Sequence, residues 1–157
     1  MPIVEIEPGH KRMNVHAGTK ISDILVANPH LSKEETPLAA IAYNRLVGLD
    51  ATIRTATTVT FVNTTHREGV DVYRRTASLI LYAAVAELRP EARVLIGQSL
   101  ADGYFYEIEG IDEIDAELIA EIERQMRTIV EENWSISHRT MPIEEAREIF
   151  EERKAWD

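Results

Sequence analysis

Few side chains in this chain could do chemistry, and their spacing limits most of them. The five histidines are His10, His16, His30, His66 and His138. None stands three or four residues from another, so no helix face presents two imidazoles to one ion. His10 and His16 sit on or beside one expected hairpin, which leaves a tertiary pair open beside the plainer reading of solvated or half-buried rings. The chain has no cysteine, which removes thiolate ligation, thiol nucleophiles and disulfides. No Ser-His-Asp set has suggestive spacing. No Gly-x-x-x-x-Gly-Lys-Ser/Thr loop occurs, so these residues hold no phosphate cradle for phosphoryl transfer.

Two arginines and three aromatics are the better candidates for a binding site. Arg74 and Arg75 fall near the start of a long helical pattern. Arg75 has two roles open to it: a bidentate grip on a phosphate or carboxylate, or an ion pair with Asp71 one turn earlier. In Tyr104-Phe105-Tyr106, strand alternation sends Phe105 to one face and Tyr104 and Tyr106 to the other. The tyrosines then either stack on a base or form a cross-strand aromatic core. The acids Glu107, Glu109, Asp112, Glu113 and Asp115 invite a cation-site reading. Acids this dense beside a turn more often make a solvated face and a helix cap. Gly97 and Gly103 have the setting of turn glycines.

Charge divides the chain. Residues 1–66 carry six Lys+Arg against six Asp+Glu, and residues 67–157 carry eleven against twenty-one, so the second part holds the whole net charge of −10. Two domains are expected, at 1–64 and 65–157, with the polar stretch Thr64–Gly69 as linker. The acidic balance opposes strong unaided nucleic-acid binding by the second part. No apolar run approaches the roughly 20 residues of a membrane-spanning helix. The start, Met1-Pro2-Ile3-Val4-Glu5, lacks the basic and apolar regions of a signal peptide. A cytoplasmic protein with no membrane partner is expected.

The elements that must position these residues follow from periodicity. Val4 and Ile6 alternate with Ile3, Glu5 and Glu7 as a strand. Pro8-Gly9-His10-Lys11 is a turn, and Arg12–His16 returns. Thr19 or Ser22 caps a short helix that buries Ile21, Ile24, Leu25 and Val26. Asn28-Pro29-His30 ends it. Leu38–Tyr43 is a strand, Asn44-Arg45 a turn, Leu46-Val47 a strand and Ala51–Ala56 a connector. The β-branched run Thr57–Val62 is the last strand of the first domain.

The second part opens on a helix with Tyr73, Ala77, Ile80, Leu81, Ala84 and Leu88 on one face, stopped by Pro90. Arg93–Gly97 and Tyr104–Ile108 form a hairpin across the Asp102-Gly103 turn. Asp115 caps a helix that buries Leu118, Ile122, Met126 and Ile129. Trp134–Thr140 reads as a strand. Pro142 starts a last helix with Ile143, Ala146, Ile149 and Phe150 inward. That helix reaches the end of the chain without a stop signal, so a C-terminal truncation is expected.

This order of elements resembles a known pair of domains. Residues 1–64 resemble a TGS domain, a ubiquitin-like β-grasp module, through Met1-Pro2-Ile3, Pro8-Gly9, Ile21-Ser22-Asp23-Ile24-Leu25 and Tyr43-Asn44-Arg45-Leu46-Val47. Residues 69–152 resemble the second additional, editing-like domain of threonyl-tRNA synthetases. The marks are Arg75-Thr76-Ala77-Ser78, Ile96-Gly97, Asp102-Gly103-Tyr104-Phe105-Tyr106, Ile122-Glu123 and Glu144-Glu145-Ala146. The resemblance implies an α+β fold. It also implies a His-x-x-x-His pair on the long helix, whose matching positions here are Arg75 and Leu79. Neither side chain ligates zinc or acts as a general base near neutral pH.

Some bacterial uridine kinase-like proteins have a front end similar to this one, also without the paired histidines. That side of the resemblance implies a non-catalytic, regulatory region. It would bind a nucleotide, RNA or a partner domain through Arg74, Arg75, Tyr104 and Tyr106, with no cofactor or metal of its own. ATP binding and nucleoside kinase transferase activity would lie in a downstream domain. The synthetase side implies a divergent editing hydrolase for mischarged tRNA. A bare TGS interaction module with no small ligand is the third expectation.

Overall fold

Alternation places Val4 and Ile6 on one side of β1 (Ile3–Glu7), and both are buried. The computed structural model describes residues 1–7, 10–32, 36–100 and 103–152. The fold is mixed α+β. The chain divides into two compact units, Met1–Ala77 and Ser78–Asp157, and the division falls inside one long helix.

In the first unit β1 is followed by β2 (Lys11–Asn14), β3 (Thr19–Lys20), α1 (Ile21–Ala27), a 3-10 turn at Pro29–Ser32, β4 (Ala39–Ala42), β5 (Arg45–Val47), β6 (Thr52–Ile53) and β7 (Thr57–Val62). Five strands form a sheet in the order β2-β1-β7-β4-β5, and β3 pairs with β6 separately. The β1–β7 pairing is parallel, with Val4 opposite Thr57 and Ile6 opposite Val59; the other pairings are antiparallel. Parallel neighbours need a crossover, and α1 lies within it. The buried face of α1, Ile21 and Ile24, joins Val4, Ile6, Ala40, Ala42, Ile53 and Val59 in one core.

Several local expectations are corrected. The second strand is Lys11–Asn14 rather than Arg12–His16; beyond it Val15 donates its N–H to the Pro2 carbonyl. The α1 cap is Lys20, not Thr19 or Ser22, and the Asp23 carboxylate accepts the Lys20 N–H at 3.2 Å. Val26 is 80% exposed, because one α1 face is wide enough only for Ile21, Ile24 and half of Leu25. The tight turn is Tyr43-Asn44, with φ of 53° and 56°, and Arg45 already belongs to β5. Within Ala51–Ala56, Thr52–Ile53 pairs with Thr19–Lys20. The expected Pro8-Gly9 turn residues lie outside the described residues, as does Asp102 of the second turn.

The long helix is α2 (Arg67–Leu88), so the expected linker Thr64–Gly69 is shorter than its composition suggests. A Cβ on Gly69 would come within 1.8 Å of the Asn63 carbonyl oxygen. Only a glycine lets the start of α2 pass this close to the end of β7.

The second unit holds the later part of α2, then β8 (Arg93–Leu100), β9 (Gly103–Glu109), α3 (Ala116–Glu131) and α4 (Ile143–Glu152). Its core is Ala84 and Val85 of α2 with Leu118, Ile122 and Ile129 of α3, flanked by Val94 and Ile108 of the hairpin. The helical stripe is buried only over its later part; Tyr73 is exposed. Asp115 caps α3 as expected, accepting the Leu118 N–H at 2.8 Å.

Gly97 is a correction: it lies inside β8, beside an irregularity between Ile96 and Ser99, where a Cβ would meet the Phe105 ring at 3.1 Å. The strand expected at Trp134–Thr140 does not form. Asn133 takes a left-handed conformation (φ 52°), its N–H bonds to Val130 and the Trp134 N–H to Ile129. This helix stop turns the chain into an exposed, unpaired segment. In α4, Ile143 and Phe150 are exposed, and only Ala146 and Ile149 are half-buried.

Two substitutions check these positions by thermal melting. Gly69→Ala gains about 1 kcal/mol of helix propensity but drives a methyl into a backbone carbonyl, so it lowers Tm. Val26→Ala stays within about 0.5 kcal/mol of the parent; a large loss would place Val26 in a core.

Candidate functional site

The rotation of α2 decides which of its residues line a cavity. With Ala84 and Val85 buried, Leu79, Ile80 and Ala83 turn toward a groove of about 480 Å³. Ile129 and Val130 of α3 line it too, and the segment Asn133–Ser137 supplies the rest. The helix stop at Asn133 brings Trp134 and Ile136 to this groove. Leu79 remains 54% exposed. The polar lining groups are Asn133, Ser135 and Ser137, and no lining side chain titrates near neutral pH.

Close in sequence to this lining, Ser78 is buried and its hydroxyl lies 2.7 Å from the Tyr106 hydroxyl. Tyr104 and Tyr106 meet edge to face, 6.4 Å between centroids at 75°. Both are half-buried, whereas Phe105 is exposed on the other face of β9. The alternation is therefore as the sequence predicts. The tyrosines meet each other, and Tyr106 is tied to α2 through Ser78.

Arg74 and Arg75 belong to the first unit and Leu79, Tyr104 and Tyr106 to the second. Arg75 is exposed and Arg74 half-buried. The ion pair expected between Arg75 and Asp71 is not among the salt bridges of the described residues. Residues that sequence reasoning missed are Trp134, Ile136 and Asn133. Their signal was Asn followed by an apolar residue just after a helix, which is a stop motif, and it was masked by the strand-like alternation of Trp134-Ser135-Ile136-Ser137.

Several titratable groups elsewhere are engaged by neighbours. His10 hydrogen-bonds Glu5 at 2.9 Å, and that bond, with Arg12 beside it, holds the Glu5 carboxyl below its ordinary value against the opposing effect of burial. His66 lies 2.9 Å from Asn63 Oδ1 at the entry to α2. Glu113, Asp115, Glu117 and Glu121 share a shallow surface pocket with Arg89 and Arg124, and Arg89 bonds Glu121 at 2.8 Å. No three metal-ligating side chains converge among the described residues.

No family model matches the chain. Threonine–tRNA ligases do. That of Clostridium kluyveri is 31% identical over 143 residues, 91% of this chain and 22% of the ligase. That of Methylococcus capsulatus is 31% identical over 150 residues, 96% of this chain and 23% of the ligase. That of Clostridioides difficile is 33% identical over 116 residues, 74% of this chain and 18% of the ligase. The chain is similar to part of a threonine–tRNA ligase. It spans about a fifth of the length of the curated relatives it matches. No helix among the described residues is long and apolar enough to cross a membrane.

Removing the Ser78 hydroxyl tests the geometry. Ser78→Ala takes a partner from a half-buried phenol, so the chain loses about 1 kcal/mol in urea unfolding. An unchanged midpoint would mean the Ser78–Tyr106 bond does not hold in solution.

Proposed function

We propose that the chain is an accessory region of a threonyl-tRNA synthetase-like protein, whose second unit holds the aminoacyl end of a tRNA without hydrolysing it. The first unit is, in this reading, a TGS-type β-grasp, supported by its sheet order and by the parallel β1–β7 pairing. The second is the editing-like domain of the resemblance, and the sequence domains are 1–64 and 65–157. The relatives favour this side of the resemblance over the uridine kinase-like side.

One observation carries the proposal: the groove at Leu79 has no titratable lining group. Ester hydrolysis near neutral pH needs a base to activate water, or a metal to make hydroxide. Leucine at a position where the resemblance implies histidine supplies neither. A largely apolar lining with three small polar side chains, Asn133, Ser135 and Ser137, suits an aminoacyl-adenosine end through apolar contact and hydrogen bonds. Holding such an end needs no cofactor. Arg74 and Arg75, in the first unit, are proposed separately as contacts for a phosphate or carboxylate.

Seryl-tRNA and threonyl-tRNA test this against the divergent-hydrolase alternative. Both bind the chain and stay charged, and Leu79→Glu weakens binding by about tenfold, a change of about 1.4 kcal/mol. Deacylation well above the uncatalysed rate, lost on changing Arg75, would establish the hydrolase instead.

A further inference from the structure

The first unit carries a feature that the groove of the second does not explain. At one end of the five-stranded sheet lie the start of β7, the end of β4 and the start of β5. The turn there places a tyrosine in the left-handed region, Tyr43 with φ 53°. That conformation is unusual for a bulky residue and needs outside support.

The support is visible. The Tyr43 hydroxyl accepts the Arg54 N–H at 2.9 Å and the Thr55 N–H at 3.2 Å, and donates to the Thr55 carbonyl at 3.2 Å. The Tyr43 N–H donates to Thr57 Oγ1 at 3.0 Å. The phenol tip is thus pinned, while the residue as a whole stays 41% exposed. A ring fixed at its tip and open along its side is a stacking platform that loses little freedom when a partner binds.

Two cationic residues lie close to this ring in the chain: Arg45 opens β5 two residues on, and Arg54 gives its backbone N–H to the phenol. Arg45 and Arg54 are exposed, and neither takes part in a salt bridge among the described residues. From residue 36 to 67 the only acid is Asp50, and its carboxylate folds back over Gly48, beyond the far end of β5. On β1, Glu5 is engaged by His10 and Arg12, and Glu7 accepts the Thr60 hydroxyl at 3.1 Å. The acids that give the chain its net −10 lie after residue 66, and screening over about 8 Å at physiological salt keeps a local patch distinct from them.

We infer that Tyr43, Arg45 and Arg54 form a binding surface for single-stranded RNA, Tyr43 stacking an unpaired base while the two arginines contact the adjoining phosphates. An aromatic face with exposed arginines nearby in the chain suits a splayed strand, because every base has a π-face and every linkage a charge. A duplex hides its bases and offers the ring nothing. The surface stands independently of the groove in the second unit, so either reading can fail alone.

Fluorescence anisotropy of the full chain with a short labelled RNA tests it. The parent binds the single strand more tightly than the matching duplex. Arg45→Glu with Arg54→Glu weakens binding by at least about tenfold and flattens the salt dependence, as loss of two phosphate contacts requires. Tyr43→Phe keeps the ring and binds, whereas Tyr43→Leu, confirmed folded by its melt, binds roughly tenfold more weakly. Arg127→Glu, a reversal on α3, leaves binding unchanged. The inference is overturned by any of three results: no RNA binding at low salt, binding indifferent to the Arg45 and Arg54 reversals, or binding of anionic vesicles but not RNA.

Discussion

The burial of Ala84 and Val85 fixes the rotation of α2, and the second unit is organised by that rotation. With those two small residues against Leu118, Ile122 and Ile129, the helical period leaves Ser78 to meet Tyr106 and Leu79, Ile80 and Ala83 to line the groove. A helix turned by one residue would bury Leu79 and expose the core. The chemistry available at position 79 is therefore set by packing several residues away. Leucine there is apolar, so the groove has contact surface and no base.

The first unit is held by a different constraint. Its central strands, β1 and β7, are parallel neighbours at opposite ends of the segment, so the sheet closes only when those two ends meet. Val4, Ile6 and Val59 gain their burial from that pairing together with α1. The left-handed Tyr43-Asn44 turn is a local cost inside this arrangement. Partial burial pushes the Tyr43 phenol up, yet the amides of Thr55 and Arg54, with the Arg54 charge, outweigh that and hold it below its ordinary value.

Much of this was legible in the sequence because it depends on period. Thr57–Val62 was bounded correctly by β-branched residues alone, and the alternation of Val4 and Ile6 gave β1. Asp115 before an apolar stripe gave the start of α3. What stayed hidden depends on partners far along the chain. Thr52–Ile53 becomes a strand only because Thr19–Lys20 lies beside it. Gly69 looks like a linker residue until the Asn63 carbonyl is seen against it. Trp134–Thr140 alternates like a strand but has none to pair with among the described residues. Of the candidate site, the resemblance points to Leu79, while the strand-like alternation of Trp134-Ser135-Ile136-Ser137 hides Trp134 and Ile136.

The central claim is that the groove at Leu79 binds without doing chemistry. Its most direct measurement is the NMR signal of the Trp134 indole N–H while a non-hydrolysable aminoacyl-adenosine analogue is titrated and then exchanged for the hydrolysable ester. The account predicts that the indole shifts with both ligands and that the ester survives over the titration. An indole that ignores both ligands, or an ester cleaved as it binds, would contradict it.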